Sequence, residues 1–164
     1  MTYSELLQQL TVESQDNGEV FTRTNQLERI KSLLHESSYE LLYAGKLALI
    51  YGKKGVTPAK ARLLVSSHID TVYTHCFYEE TDTHWKGTFD NSATNTALLQ
   101  LMLENKIGDH VLIAFTGDEE IESRGAQEVK RWCSQQTWYP SAILVLDVTN
   151  EGWDDSVSFS IEND

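Results

Sequence analysis

The chain has 164 residues, 40% of them hydrophobic and 10% aromatic, enough apolar material for one domain with a real core rather than a disordered chain. Its formal charge of −12 excludes the basic footprint that nucleic acid requires and argues against anionic membrane surfaces. The two cysteines, Cys76 and Cys133, stand in no CxxC spacing and read as reduced thiols, and no stretch reaches the roughly 18 apolar residues of a membrane helix.

The opening MTYSELLQQL has neither a basic start nor a long apolar run, so no signal peptide is expected and the location is read as cytoplasmic. Thr2 with Glu5 makes a capping box, and Leu6, Leu7 and Leu10 give a short helix its apolar face. A turn at 16–18 leads to a stronger helix over 24–36. There Leu27, Ile30 and Leu34 recur at helical spacing, and Asn25 with Glu28 is suited to cap the start. Residues 39–43 and 46–51 read as strands about Ala44-Gly45. ARLLVSS, 61–67, is a short apolar run typical of a central strand buried on both faces. Weaker strands are expected at 77–80 and 84–87. A helix follows over 91–105, with Asn91 or Ser92 as cap and Leu98, Leu101 and Met102 as its stripe. A second central strand falls at 110–116. The helix over 123–134 carries Ala126, Val129 and Cys133 inward. A third central strand spans 142–148, and 157–161 alternates like a further strand.

Apolar strands alternating with helices predict an α/β fold: a three-layer α/β/α sandwich around a mostly parallel or mixed central sheet. No repeat or linker divides the chain, so residues 1–164 read as a single domain.

The chemistry gathers at strand ends. In FTGDEEIESRG, 115–125, an apolar strand stops abruptly in Asp118, Glu119 and Glu120. A carboxylate near a core costs several kcal/mol unless a cation or donors compensate. His68 and Asp70 lie just past the first central strand, Asp147 ends the third, and Asp90 immediately precedes a helix. Ligands of open α/β sheets bind outside the carboxyl ends of the strands, so these loops deliver polar groups to one edge. Imidazole and carboxylate are the non-thiolate ligands of zinc, a carboxylate can bridge two ions, and one left unligated can act as a base. The plain alternative is solvated turn acids with Asp90-Asn91 as a helix cap. Asp118 and Glu122 read as solvated charges. His35 suits a helix C-terminus, His110 a surface position at the opposite edge, and His75 and His84 are weak substitutes as ligands. Trp85, Trp132 and Trp138 read as core or rim. Trp153 is a weak pocket wall, and 149–152 is a loop beside the site.

His68-Ile69-Asp70 after an apolar strand, GTFDN at 87–91 opening a helix, GDEE at 117–120 and LDV at 146–148 occur in that order. Together they resemble the zinc-dependent exopeptidase superfamily with two co-catalytic metals, which includes aminopeptidases, glutamate carboxypeptidases, dipeptidases and aminoacylases. The resemblance covers roughly residues 20–150. It implies hydrolysis of peptide or amide bonds by water activated at two Zn2+ ions, with Mn2+ or Co2+ able to take the same ligands. Peptides or N-acyl amino acids would be substrates. His68 and Asp147 would bind one ion and Glu120 the other, with Asp90 bridging them across a cis bond to Asn91. Asp70 would orient His68, and Glu119 would be the general base. The superfamily also supplies a second histidine ligand late in the domain. No histidine follows His110 here. The chain is therefore expected to lack the C-terminal part of the fold, and it carries no lid domain. A catalytically incompetent relative acting as a binding or regulatory subunit is the alternative reading. Exposed sheet edges leave homo-oligomer formation open.

Overall fold

A capping box sets the first element: the Thr2 hydroxyl accepts from the Glu5 N–H while the Glu5 carboxylate accepts from the Thr2 N–H. Helix α1 runs Tyr3–Gln8 and continues as a π-helical turn over Gln9–Glu13. The computed structural model describes residues 1–13 and 24–148. The expected turn at 16–18, the loop at 149–152, Trp153 and the strand at 157–161 lie outside the described residues. The remaining elements are α2 (Thr24–Leu34), β1 (Tyr39–Ala44), β2 (Ala48–Lys53), β3 (Leu63–His68), β4 (Tyr78–Glu80), β5 (Trp85–Gly87), α3 (Ser92–Leu103), β6 (Val111–Thr116), α4 (Arg124–Gln135) and β7 (Ala142–Leu146). Among the described residues, no helix is long and apolar enough to cross a membrane.

Five strands form one mixed sheet in the order β1-β2-β6-β3-β7, and β4 and β5 form a separate hairpin. β1 and β2 pair antiparallel, as do β2 and β6, whereas β6, β3 and β7 run parallel. Successive side chains on a strand face opposite ways, and the core divides accordingly. Leu49, Tyr51, Val65, Ile113 and Phe115 pack with α1, α2 and α3 through Leu6, Leu27, Ile30, Leu98 and Met102. Ala48, Ile50, Leu64, Leu112 and Ala114 pack on the other face with Val129, Trp132 and Cys133 of α4, and with Trp138. Each fully buried side chain of this size contributes about 1.5–3 kcal/mol, so two covered faces make the inner strands the rigid part of the domain. The result is a three-layer α/β/α sandwich. Its crossover helices α3 and α4 lie on opposite faces, as right-handed parallel connections running in opposite directions require.

Several expectations need correction. α2 begins at Thr24, so Asn25 lies within its first turn. Leu101 is 41% exposed, and the buried stripe of α3 is Asn95, Leu98, Leu99 and Met102. On α4 the inward face is Gly125, Val129, Trp132 and Cys133, while Ala126 is exposed. The cause is Gly125: a β-carbon there would meet the main-chain oxygens of Gly117 and Leu47 at 2.5 and 2.6 Å. α4 is therefore turned to bring its smallest residue onto the backbone of the strand ends. Finally, among the described strands β7 lies at the edge of the sheet. It pairs only with β3 among the described strands, and Ile143 and Val145 are 63% and 66% exposed.

Gly125→Ala tests this packing. Helix propensity favours alanine by about 1 kcal/mol, but the obstructing atoms are main chain and cannot rotate away. Net destabilisation of about 1–3 kcal/mol is expected in urea unfolding. A stabilised variant would show that α4 is not seated on Gly117.

Candidate metal centre

Strand register assembles the site. In the parallel triplet, His68 stands opposite Thr116 and Ser67 opposite Leu146. Three chains therefore leave the sheet side by side: Ile69-Asp70 after β3, 117–120 after β6, and Asp147 after β7. The Ile69 N–H donates to the Thr116 carbonyl at 2.8 Å and keeps the first two chains together past the strand ends.

His68 is the hub, with 4% of its side chain exposed. Its Nδ1 lies 3.0 Å from the main-chain oxygen of Asp70, which can only accept, so Nδ1 carries a proton. Its Nε2 faces Asp147 Oδ1 at 3.2 Å and Asp90 Oδ1 at 3.3 Å. The Asp70 carboxylate is fully buried but sits further from the ring, at 3.7 Å, and its Oδ2 accepts the Glu120 N–H at 3.1 Å. Asp70 thus ties the β3 exit to the acidic loop. Ligand atoms of His68, Glu119 and Glu120 lie within 4.8 Å of one another, and so do those of His68, Asp90 and Asp147. The structure brings all six sequence-predicted site residues to one place. The Asp90–Asn91 peptide is cis.

Residues beyond the predicted set hold this arrangement. Asn91 makes no capping bond with its side chain. Its Nδ2 instead donates to Ser67 Oγ at 3.0 Å and to the Leu146 carbonyl at 2.8 Å, clamping the residues that precede His68 and Asp147. Asn95 Nδ2 donates to the His68 carbonyl at 2.7 Å. The sequence signal was present in GTFDN, where an amide follows the acid, but helix capping explained it equally well. Asp118 is not the solvated charge that its neighbours in sequence suggest. It is fully buried at a positive φ of 65°, in a fork with Arg124 at 2.5 and 2.9 Å. These hydrogen bonds hold its carboxyl below the usual range against the opposing effect of burial. Asp147, expected at a buried strand end, is 56% exposed, at the end of the strand that lies outermost among those described. His35, His75, His84 and His110 belong to neither group of candidate metal ligands, and His84 bonds to Thr81 and Thr83 in the β4–β5 turn. Trp132 and Trp138 are core, and Trp85 is exposed.

The electrostatics are those of a crowd of anions wanting a cation. Among the described residues, no lysine or arginine pairs with Asp70, Asp90, Glu119, Glu120 or Asp147. Burial, and then repulsion from Asp90 and Glu119, raise the Glu120 pKa. Burial alone would lower the pKa of His68, but the carboxylates of Asp70, Asp90 and Asp147 outweigh it and push the value up to about 11. Asp70 Oδ1 and Asp90 Oδ1 are buried without a hydrogen-bond partner. Orphaned buried carboxylate oxygens are costly, and a divalent cation is the partner that this oxygen-rich set with one imidazole fits.

Fold and cluster together define an α/β/α domain with a candidate metal centre at the carboxyl edge of its parallel strands. Residues 48–163 match the model of Peptidase family M28, and the chain belongs to that family. No curated protein matches it. Among solved structures it is similar to the aminopeptidase PepT from Bacillus cereus ATCC 10987, with a TM-score of 0.57 and 16% sequence identity over 89% of this chain and 42% of that one. That likeness shows the fold, and this chain spans less than half the length of that structure.

Both nitrogens of His68 face oxygen acceptors, and the neighbouring carboxylates raise its pKa, which favours the imidazolium when no cation is bound. A metal at Nε2 must displace that proton. Zinc uptake is therefore expected to release a proton from His68, and apparent affinity to rise about tenfold per pH unit through neutrality. Calorimetric titration in buffers of different ionisation enthalpy reads this directly. Uptake without proton release would mean a neutral ring before binding.

Proposed function

We propose that this chain is a metal-dependent hydrolase of peptide or amide bonds, an exopeptidase of the aminopeptidase kind. The observation that supports it best is the convergence of His68, Asp90, Glu119, Glu120 and Asp147 at one sheet edge, in a member of Peptidase family M28. The name of the similar solved structure favours the aminopeptidase type.

In this reading His68 and Asp147 would hold one zinc ion and Glu120 a second, with Asp90 a ligand shared by the site. Metal held by these residues would supply Lewis acidity toward a substrate carbonyl and lower the pKa of water. Glu119 is the exposed member of the His68, Glu119 and Glu120 group, and this reading leaves its carboxylate free of the ions to act as the base. It takes the proton of the attacking water and returns it to the leaving amine. Asp70 holds the His68 ring through its main-chain oxygen and the Glu120 amide through its carboxylate. The peptide or N-acyl amino acid substrate would approach from the exposed side of Asp147 and Glu119.

A second reading rests on one observation. Among the described residues a single imidazole serves both groups, which suits a relative that binds metal or ligand without turnover. Glu119→Gln separates the readings. It should retain fold and metal content by plasma mass spectrometry, while turnover of chromogenic aminoacyl substrates falls by about 10²–10⁴-fold. Undiminished turnover would remove Glu119 as the base. A wild-type chain that loads metal yet cleaves none of these substrates would favour the binding reading.

A further inference from the structure

The acidic loop is closed at three levels. At its base the Gly117 N–H donates to the Leu47 carbonyl at 2.8 Å, and the Gly125 N–H to the Gly117 carbonyl at 3.1 Å. Above that, the main-chain oxygen of Asp118 accepts from Ser123 at 2.6 Å and from Glu122 at 3.3 Å. Between them sits the Asp118 carboxylate. It takes Arg124 Nε at 2.5 Å, Arg124 Nη2 at 2.9 Å and the Arg124 main-chain N–H at 3.4 Å. Arg124 is the first residue of α4, and the N-cap residue Ser123 makes no side-chain cap bond. Asp118 therefore does the capping from across the loop. Glu119 and Glu120 are the residues that follow it, and Glu120 is tied on its far side to Asp70.

We propose that the Asp118–Arg124 fork is a latch that positions Glu119 and Glu120 over the metal centre by locking the loop between β6 and α4. Both are positioning residues, since neither belongs to the candidate ligand groups. The physical argument is geometric. A planar guanidinium meeting a carboxylate at two points fixes orientation as well as distance, and a lysine cannot reproduce it. Asp118 in turn has no exposure and a left-handed backbone, so the loop has few other ways to place it. Where the ligands point thus depends on a pair that never touches the metal. The proposal rests on the reading of this edge as a metal site.

Two measurements on the full chain test it. The variant is Asp118→Asn/Arg124→Gln, which removes both charges at similar volume and leaves no buried ion unpaired. Val129→Ala serves as a control that is destabilised in the core of α4. Amide hydrogen exchange is read without metal, and the Co2+ absorption spectrum and affinity with it. In the wild type, the amides of Glu120, Glu122 and Ser123 should be protected. In the double variant that protection should fall at least tenfold, with β3 and β6 still protected. Co2+ affinity should also fall at least tenfold with an altered spectrum, while the Val129→Ala chain keeps the wild-type spectrum. Arg124→Lys should lie between. Wild-type-like loop protection, or a wild-type Co2+ spectrum and affinity in the folded double variant, would overturn the latch. A wild-type chain with a protected loop but no Co2+ binding would instead sink the metal reading, leaving the latch as a loop device only.

Discussion

The parallel register of β6, β3 and β7 is the constraint on which the rest depends. Parallel strands end at the same edge, so three chain segments far apart in sequence emerge beside one another. His68 opposite Thr116, and Ser67 opposite Leu146, leave no room for the exits to scatter. A slip of one residue in either pairing would turn His68 or the residues before Asp147 to the other face. The two core layers prevent that slip. Val65, Ile113 and Phe115 are committed to one layer, and Leu64, Leu112 and Ala114 to the other. Hydrophobic burial, which is non-directional, here enforces a directional result.

The strand ends then have to tolerate their own charge. Asp70, Asp90, Glu119, Glu120 and Asp147 share one imidazole, and burial raises the cost of each neighbouring anion. Ordinary folding would disperse such acids into solvent. Instead, polar scaffolding holds them in: Asn91 across Ser67 and Leu146, Asn95 on His68, Asp70 on the Glu120 amide, and Asp118 on Arg124. The bonds of Asn91 and Asn95 add no charge to the cluster, whereas the Asp70 carboxylate adds one of its anions. Each bond directs a backbone segment, so the candidate ligands are already oriented at the edge.

Much of this was legible in the sequence because it is local. The capping box at Thr2 and Glu5, the apolar strands at 61–67 and 110–116, and the acids placed just past them follow from short-range patterns. What was misread depended on neighbours distant in sequence. Ala126 looked inward by periodicity, but α4 rotates to seat Gly125 on Gly117 and Leu47. Leu101 belonged to the apolar stripe on paper, yet α3 faces the sheet through Asn95, Leu98, Leu99 and Met102. Asp118 stood beside two solvent-facing acids and shared their composition. Its burial became visible only when Arg124, six residues on, was seen to fold back onto it.

By itself, the sequence determined the fold class, the order of the elements and which side chains are candidates for holding a metal, since periodicity and residue type carry those. Only the tertiary structure decided which groups meet. It put β7 outermost among the described strands and left Asp147 half-exposed, set the Asp70 main-chain oxygen rather than its carboxylate against the His68 ring, and turned one of three adjacent acids into a buried anchor. The reason is that strand order, helix rotation and side-chain pairing are contacts between residues remote in the chain, and no local pattern encodes them.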